Sequence, residues 1–533
     1  MKIVVAEKIS SVAIDCLREP EWQIVTPENM DGGLASQLES ADALIVRSAV
    51  QVDDKLLASA QKLRVIGRAG VGVDNIDLEP ATRRGIAVMN TPGANAVAVA
   101  EHTFAMMLAL ARHLCRADSL MHAGKWEKKT LQGTELRGKT LGIVGLGKIG
   151  MEVARRARAF GMAVIAHDPF ISPAVAKQQE IALASLDEVY AAVDYLTLHL
   201  GLTPQAMGMI NSESLKKMKR GAHLINCARG ELIDEGALAT ALKDGHLAGA
   251  ALDVFTEEPL KNSPLTALEN VILTPHIGGS TREAQEAVGY QIAQQVKEYL
   301  KHGVIQNAVN VPSLSYDEYL ELQPYIVLAE RLGSFLVQIS EGAVEEISVR
   351  YSGHIAEGKT ELIRNAAIKG ILNEVLDEKA NLVNAATIAS SRGLAVLEDR
   401  KPTASTGGAG SVISILMKTR AEEHLVKGAV LHKESPRLLH VDDIDIEAPL
   451  QRNLIYLRNR DVPGVIGKVG TILGDHQINI ADFSLGRRSK SAEQDAPREA
   501  IAVVHIDGVV REEVLARLRQ IPAVRQAKAI TLF

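Results

Sequence analysis

The sequence predicts an α/β protein built mainly from parallel sheets. Three observations support this class. Short apolar strands alternate with helical segments over residues 3–90, an apolar run leads directly into glycines and a helix near residue 145, and residues 454–533 follow the order βαββαβ. Strands that alternate with helices form βαβ units around a parallel sheet. We therefore expect two parallel-sheet domains, followed by a mixed α/β unit and a small split βαβ unit.

Composition and charge narrow the class of protein. The 533 residues exceed what one hydrophobic core supports and predict about three or four domains. A net charge of −6 gives no basic field for nucleic acid, and no apolar run is long enough to span a membrane. The three cysteines, Cys16, Cys115 and Cys227, are widely separated and match no metal-ligand spacing. They suit a reducing compartment, so we expect a cytoplasmic protein without a metal centre.

The first expected domain places candidate ligand-binding residues at the ends of its strands. Five apolar runs predict these strands: Ile3–Ala6, Gln23–Thr26, Ala43–Arg47, Arg64–Gly67 and Ala87–Asn90. Ligands of such sheets bind beyond the carboxyl ends of the strands, where Arg47 and Arg68 lie. Each arginine would also fit an ordinary surface salt bridge. The glycines around Arg68 favour a tight functional loop.

A break at Pro92-Gly93 separates this domain from a long, largely apolar helical stretch, Val97 to Met121. We expect this helix to carry the chain into the next domain. The run Gly124–Lys129 that follows is basic and contains Trp126. Its pattern is typical of a solvated surface loop, which is the interpretation that the residues alone favour.

The stretch from Thr140 to Gly150 contains the clearest functional motif. A buried strand is followed by Gly145, Gly147 and Gly150 at the G-x-G-x-x-G spacing, and then by a helix. The first glycine permits the tight turn, the second lets the backbone approach a pyrophosphate, and the third lets the helix pack close to the sheet. Asp168 ends the next strand, where a carboxylate binds the ribose 2′-hydroxyl and repels a 2′-phosphate. The sequence therefore predicts NAD rather than NADP as cofactor.

Three later strands also lead into polar residues. Apolar runs end at Arg229, at Asp253 and at His276, each close to a glycine or proline. A dehydrogenase that acts on a hydroxyl needs a base for the proton and an anchor for the substrate, and His276 and the fork of Arg229 fit these needs. A carboxylate beside His276 would fix its tautomer and raise its pKa, and both Glu257 and Glu258 are candidates. The alternative is a structural histidine.

The remaining segments predict the end of the first domain and two further units. A helix at Arg282–His302 would return the chain to the first domain, and a strand at Ala308–Val311 would complete it. Residues 313–449 carry no chemical motif and include a Gly/Ser/Thr-rich loop at Thr403–Ser411. The βαββαβ unit from Leu454 lacks a catalytic constellation and suits ligand sensing or assembly.

Several motifs resemble those of a known family. The glycine motif, Asn226–Gly230, Leu252–Pro259 and Pro275–Ser280 are similar to the signatures of the D-2-hydroxyacid dehydrogenases. Within that family, Gly67–Asn75 and Met89–Pro92 resemble motifs of the D-3-phosphoglycerate dehydrogenases, and the C-terminal part resembles the tail of their long form. The resemblance covers the whole chain and is most specific in residues 1–312.

This resemblance implies a fold and an assembly. A Rossmann-type NAD-binding domain, residues 96–276, would be inserted in a flavodoxin-like substrate-binding domain, residues 1–95 and 277–312. An α/β intervening domain similar to an allosteric substrate-binding domain, residues 313–452, and a ferredoxin-like ACT regulatory domain, residues 453–533, would follow. A homo-oligomer, either dimer or tetramer, is implied. The family's domain-swapped arm makes Lys125–Lys129 a candidate contributor to a partner's site.

The implied activity is the NAD-dependent oxidation of 3-phospho-D-glycerate to 3-phosphohydroxypyruvate, the first step of L-serine biosynthesis. Within the family, the alternative is a 2-oxoglutarate reductase or another D-2-hydroxyacid dehydrogenase. From a different class, the alternative is an NAD-sensing protein without turnover, against which the intact Arg229, Glu258 and His276 argue.

The resemblance also implies roles for individual residues. Arg229, Glu258 and His276 would form the catalytic set, with Glu258 as the partner of the histidine. The substrate would contact Arg47, Arg68, Arg229 and His276. The implied contacts to NAD are Val71, Gly145, Gly147, Lys148, Ile149, Gly150, Asp168, Leu200, Cys227, Ala228, Arg229, Asp253, His276, Gly278 and Gly279. L-Serine would act as an effector that binds the last unit at Asn459, Asp461 and Asn479 and inhibits the distant active site.

Overall fold

The computed structural model describes residues 1–377, 379–402, 410–432, 434–488 and 498–532. The strands of this part of the chain form three sheets, of five, seven and ten strands. The loop predicted at Thr403–Ser411 lies almost entirely outside the described residues. In the described ranges, no helix combines the length and the apolar character needed to cross a membrane.

The first sheet is parallel and has the order β2-β1-β3-β4-β5. This is the flavodoxin-like order, as predicted. The elements are β1 (Lys2–Val5), α1 (Ser11–Leu17), β2 (Gln23–Val25), α2 (Gly33–Leu38), β3 (Ala43–Val46), α3 (Asp54–Ala58), β4 (Val65–Arg68), α4 (Leu78–Arg83) and β5 (Ala87–Met89). Val46 at the end of β3 lies opposite Arg68 at the end of β4. Arg47 and Arg68 therefore emerge at the same edge of the sheet.

The second sheet is parallel and has the order β12-β11-β10-β9-β6-β7-β8. The elements are α5 (Ala96–Ala111), α6 (Leu114–His122), β6 (Thr140–Val144), α7 (Lys148–Ala159), β7 (Ala163–His167), α8 (Pro173–Gln178), β8 (Ala182–Leu183), α9 (Leu186–Ala192), β9 (Tyr195–Leu198), α10 (Ser212–Lys217), β10 (Ala222–Asn226), α11 (Glu235–Lys243), β11 (Leu247–Leu252), β12 (Val271–Leu273) and α12 (Arg282–His302). Strand order reverses between β6 and β9, so this is the Rossmann topology with its ligand crevice at that point.

Two sequence predictions around these sheets were wrong in detail. The single helix expected from Val97 to Met121 is two helices, because His113 has a left-handed φ of 51°. The N–H of Thr134 donates to the carbonyl of Ala111 at 2.9 Å, so a loop from later in the chain caps the end of α5. The strand expected at Ala308–Val311 forms only an isolated bridge to Met89. The N–H of Val88 donates to the side-chain oxygen of Asn310 at 2.9 Å, in place of a backbone hydrogen bond between strands.

The third sheet has the order β14-β13-β15-β16-β17-β18-β20-β21-β19-β22. The elements are α13 (Tyr316–Ile339), β13 (Val344–Ser352), α14 (Glu361–Val375), α15 (Ala385–Ser391), β14 (Ala395–Lys401), β15 (Val412–Thr419), β16 (Glu423–Leu431), β17 (Ser435–Val441), β18 (Ile444–Pro449), β19 (Asn453–Arg460), α16 (Val465–Asp475), β20 (Ile480–Arg488), β21 (Glu499–Ile506), α17 (Glu512–Arg519) and β22 (Val524–Thr531). Its last four strands have the ferredoxin-like order predicted from βαββαβ.

The two C-terminal units share one sheet and one core. β18 and β20 pair through Ile444 with Arg488 and Asp445 with Arg487, so hydrogen bonding continues across residue 452. Phe335 of α13 meets Tyr456 of β19 edge to face, with ring centroids 5.9 Å apart. The ferredoxin-like sheet is therefore covered by α16 and α17 on one face and by α13 on the other.

Candidate active site

The glycine turn after β6 has the geometry predicted from its spacing. Gly145 has a φ of 94°, and a Cβ there would come 2.4 Å from the carbonyl oxygen of His199. A Cβ on Gly150 would come 2.0 Å from the carbonyl oxygen of Gly145, so only glycine lets α7 pack this close. At Gly147, no described atom lies within 4 Å of the Cβ position. The backbone is therefore open to a pyrophosphate at the start of α7.

Asp168 lies beside this turn. Its Oδ2 accepts the N–H of Leu146 at 2.7 Å, and its Oδ1 accepts the N–H of Phe170 at 2.8 Å. The carboxylate is thus held beside the glycine turn, where a ribose hydroxyl would donate to it and a 2′-phosphate would be repelled. Open backbone, helix N-terminus and carboxylate together fit NAD.

The other residues assigned to NAD lie near this crevice or on the walls that form it. Leu200 follows β9 next to Gly145, Lys148 lies against Gly93, and Gly279 lies against Asn95. Ile149 and Cys227 pack against the core under α5, Ala228 packs in the neighbouring core, and the carbonyl of Val71 accepts from Asn90 at 2.6 Å. Burial raises the pKa of Cys227 to about 12, so the thiol is a neutral wall rather than a nucleophile.

His276 is paired with Glu258. Its Nδ1 lies 2.8 Å from Glu258 Oε2, and Glu258 Oε1 accepts the N–H of Phe255 at 3.1 Å. Glu257 instead lies 4.0 Å from Lys261. The geometry therefore separates the two glutamates that the residue pattern could not. With Nδ1 donating to a carboxylate, Nε2 is the nitrogen that is left to exchange a proton.

A buried carboxylate supports the His276 turn, whose φ is 54°. Asp253 accepts Thr274 Oγ1 at 2.6 Å and the N–H groups of residues 277–278 at 2.9 and 2.8 Å, and His102 Nε2 lies 3.3 Å away. Burial alone would raise the pKa of Asp253, but these hydrogen bonds outweigh it and hold the pKa below its usual value. The sequence pattern gives no signal for His102 or Thr274, because each lies in an ordinary helical or strand segment.

Arg229 crosses the cleft between the two parallel sheets. Its Nε donates to Asp74 Oδ2 at 2.9 Å, and its Nη1 donates to the carbonyl of Ala228 at 2.6 Å. A Cβ on Gly72 would come 1.8 Å from Nη2, so the guanidinium lies directly on the loop after β4. Asp74 lies in the motif Gly67–Asn75, but the sequence predicts no role for this residue.

Arg68 lies beside Arg229 in the same cleft. Burial lowers the pKa of Arg68, and the neighbouring charge of Arg229 lowers it further. Its Nε has no hydrogen-bond partner within the described residues, and a Cβ on Gly70 would come 1.4 Å from its Nη1. Arg47, whose Nη1 donates to the carbonyl of Lys8 at 3.3 Å, is close enough to affect the same guanidinium. This group of arginines suits an anionic ligand.

A second candidate site lies in the ferredoxin-like unit. A cavity of about 260 Å³ is lined by Asn459, Asp461, the start of α16 and the end of β20. Asp461 pairs with Arg487 at 3.0 Å. The sequence gives no signal for Arg487, because a charge at a strand end is common. Asn479 does not line this cavity, and its side chain donates to Asp507 at 2.7 Å.

Comparison with known proteins identifies the parts of the chain. Residues 104–278 match the D-isomer specific 2-hydroxyacid dehydrogenase NAD binding domain, residues 321–442 the D-3-phosphoglycerate dehydrogenase intervening domain, and residues 454–523 the ACT domain. The chain is similar to the solved structure of D-lactate dehydrogenase from Aquifex aeolicus with NAD and lactic acid, with 29% sequence identity and a TM-score of 0.51. The match covers 58% of this chain and 100% of the lactate dehydrogenase chain. The cofactor of this chain is NAD.

Relatives that match over the full length of the chain identify its family more narrowly. The chain is 40% identical over 534 residues to D-3-phosphoglycerate dehydrogenase of Methanocaldococcus jannaschii, which covers 100% of both chains. It is 38% identical over 531 residues to the Bacillus subtilis protein of the same name, which covers 100% of this chain and 99% of that one. The chain therefore belongs to the D-3-phosphoglycerate dehydrogenase family.

Proposed function

We propose that the protein oxidises 3-phospho-D-glycerate to 3-phosphohydroxypyruvate with NAD, as the first step of L-serine biosynthesis. The observation that carries this proposal is a histidine–glutamate pair and a group of three arginines beside an NAD-binding turn. A substrate with both a carboxylate and a phosphate needs more than one cation to bind it. Lactate, with one carboxylate and no phosphate, would not need three.

The side chains divide the work as follows. NAD, when bound, supplies the acceptor for the hydride that leaves C2. Arg229 holds the C1 carboxylate through parallel N–H donors, and His276 Nε2 takes the proton of the C2 hydroxyl. Glu258 stabilises the imidazolium that results, because its carboxylate lies 2.8 Å from Nδ1. Arg47 and Arg68 bind the phosphate.

The two halves of this arrangement lie on touching loops. A Cβ on Gly230, next to Arg229, would come 1.9 Å from the carbonyl carbon of Phe255. Phe255 in turn donates its N–H to Glu258. The anchor and the acid–base pair are thus held at a fixed separation by backbone contact, which supports their joint action on one small substrate.

The regulatory part of the proposal concerns L-serine. Asp461 would bind its ammonium group, Arg487 and the free N–H groups at the start of α16 would bind its carboxylate, and the cavity beside Asn459 suits a small amino acid. We infer that ACT units of two copies pair to form a dimer or tetramer in the cytoplasm. In such an assembly, Lys125–Lys129 of one copy would add to a partner's phosphate site.

The test is NADH formation by the purified protein with three D-2-hydroxy acids. We expect the kcat/KM for 3-phospho-D-glycerate to exceed that for D-2-hydroxyglutarate and for D-lactate by at least about tenfold, because only the first brings a phosphate dianion to the arginine group. A higher kcat/KM for D-2-hydroxyglutarate would favour a 2-oxoglutarate reductase. No NADH with any of the three, despite NAD binding, would favour an NAD-sensing protein.

A further inference from the structure

Arg229, the proposed anchor for the substrate's carboxylate, already binds a carboxylate of the chain itself. Asp74 belongs to the loop after β4, and Arg229 follows β10 in the other sheet, so their 2.9 Å contact joins two domains across 155 residues. Asp74 is the more exposed partner, with 60% of its side-chain surface accessible against 25% for Arg229. Within the described residues, Asp74 makes no other side-chain hydrogen bond.

Asp74 occupies one of the two forks of Arg229. A carboxylate is gripped by two parallel N–H groups, either Nε with Nη2 or Nη1 with Nη2. Asp74 accepts from Nε, and Nη2 lies against Gly72, so the Nε–Nη2 fork is taken. Nη1 donates one of its two N–H groups to the carbonyl of Ala228. A substrate carboxylate that uses the Nε–Nη2 fork therefore has to displace Asp74. The carbonyl is fixed in the backbone, whereas the Asp74 side chain is exposed and can rotate away.

We propose that Asp74 is an internal occupant of the substrate's carboxylate site, which holds Arg229 in place and leaves when the C1 carboxylate binds. This inference rests on the proposed function, because it takes Arg229 as the anchor of a 2-hydroxy acid. Asp74 is then a specificity-determining residue. A ligand with a carboxylate replaces the contact that it breaks, and a ligand with only a phosphate leaves Asp74 on Arg229.

The positions of the glycines support this role. A Cβ at residue 72 would come 1.8 Å from Arg229 Nη2 and 2.8 Å from Asp74 Oδ2, so the contact exists only because this residue is glycine. The guanidinium groups of Arg68 and Arg229 are close enough for their charges to repel each other. The negative charge of Asp74 acts on both arginines and offsets part of this repulsion.

The experiment compares two ligands on two proteins. Calorimetry with the NADH-bound protein gives the Kd of 3-phospho-D-glycerate and of sn-glycerol 3-phosphate, which lacks the carboxylate. In Asp74→Asn we expect the Kd of 3-phospho-D-glycerate to fall about three- to tenfold, the value of a partly exposed charged hydrogen bond. The Kd of glycerol 3-phosphate should change by less than about twofold, since this ligand does not displace Asp74.

The matched control is Asp77→Asn, which removes the same charge three residues further along the chain. Asp77 is exposed and makes no ion pair within the described residues. Weaker binding of both ligands in Asp74→Asn would overturn the proposal, because Asp74 would then be needed to build the site. Equal tightening of both ligands, or the same change in Asp77→Asn, would also overturn it in favour of general charge repulsion. None of these outcomes depends on turnover, so they are separate from a failure of the proposed activity.

Discussion

The two candidate sites each contain one arginine–aspartate pair. The arginine is the less exposed partner in one pair, and the aspartate is the less exposed partner in the other. In the cleft, Arg229 is 25% exposed and its partner Asp74 is 60% exposed. In the ACT cavity, Asp461 is 26% exposed and its partner Arg487 is 60% exposed. The less exposed member is fixed by the protein, and the more exposed member can move aside. The proposed anionic substrate would therefore meet a fixed cation in the first site, and the ammonium group of the proposed effector would meet a fixed anion in the second.

The surroundings differ as well. Arg229 lies between two domains, among other arginines and glycines, whereas Asp461 and Arg487 belong to one small unit with apolar walls. The cleft contains the proposed catalytic residues, whereas the cavity contains only the proposed effector site. Substitutions in the cleft should therefore have large effects on turnover, and substitutions in the cavity should have moderate effects that are confined to regulation.

The largest effect is expected for His276→Gln. Loss of the general base should lower kcat by about two to four orders of magnitude, while the Kd for NAD stays close to wild type. Glu257→Gln is the control, because Glu257 does not contact His276 in the structure. Steady-state kinetics with 3-phospho-D-glycerate measures the first value and calorimetry the second. A kcat for His276→Gln that stays close to wild type would exclude this residue as the base.

Next in size is Arg229→Lys. An ammonium group cannot replace the planar fork, so kcat/KM should fall about a hundredfold. The serine concentration for half-inhibition, measured on the residual activity, should remain unchanged, since Asp461 is untouched. A parallel loss of serine inhibition would contradict the separation of the two sites.

Asp461→Asn should have the reverse profile. The half-inhibitory serine concentration should rise at least about tenfold, because the ammonium loses its charged partner, and kcat/KM without serine should stay within about twofold of wild type. Asn479→Ala is the comparison variant, since Asn479 lies outside the cavity of a single chain. An equal loss in Asn479→Ala would mean that a second copy brings this residue to the ligand.

The smallest effect is expected for Asp168→Asn. Without the carboxylate charge, the ratio of kcat/KM with NAD to that with NADP should fall about fivefold, as repulsion of the 2′-phosphate is lost. Steady-state kinetics with both cofactors measures this ratio. Serine inhibition should be unaltered. An unchanged ratio would mean that cofactor choice is determined elsewhere in the crevice.

Local patterns predicted one part of the molecule well. Strand and glycine spacing led to both parallel sheets, to the Gly145 turn and to Asp168, because these features depend on neighbours in the sequence. The residue pattern alone could not choose between Glu257 and Glu258, since both lie on one turn near His276. The family resemblance implied Glu258, and the structure pairs Glu258 with His276. Asp74 and Arg487 were missed as ligand-site residues because their partners come from distant segments. The break between α5 and α6 was missed for the same reason, since residues 132–134 end α5 from outside.

The ten-stranded sheet determines how the chain can be shortened. The ACT unit shares one core with α13 of the preceding unit, to which it contributes Leu454, Tyr456 and Val503. The edge of β18 is paired with β20 of the ACT unit. A protein that ended after residue 452 would expose this apolar surface and an unpaired strand edge, which are common causes of aggregation. The last unit therefore has to be present for the preceding unit to keep its own core closed.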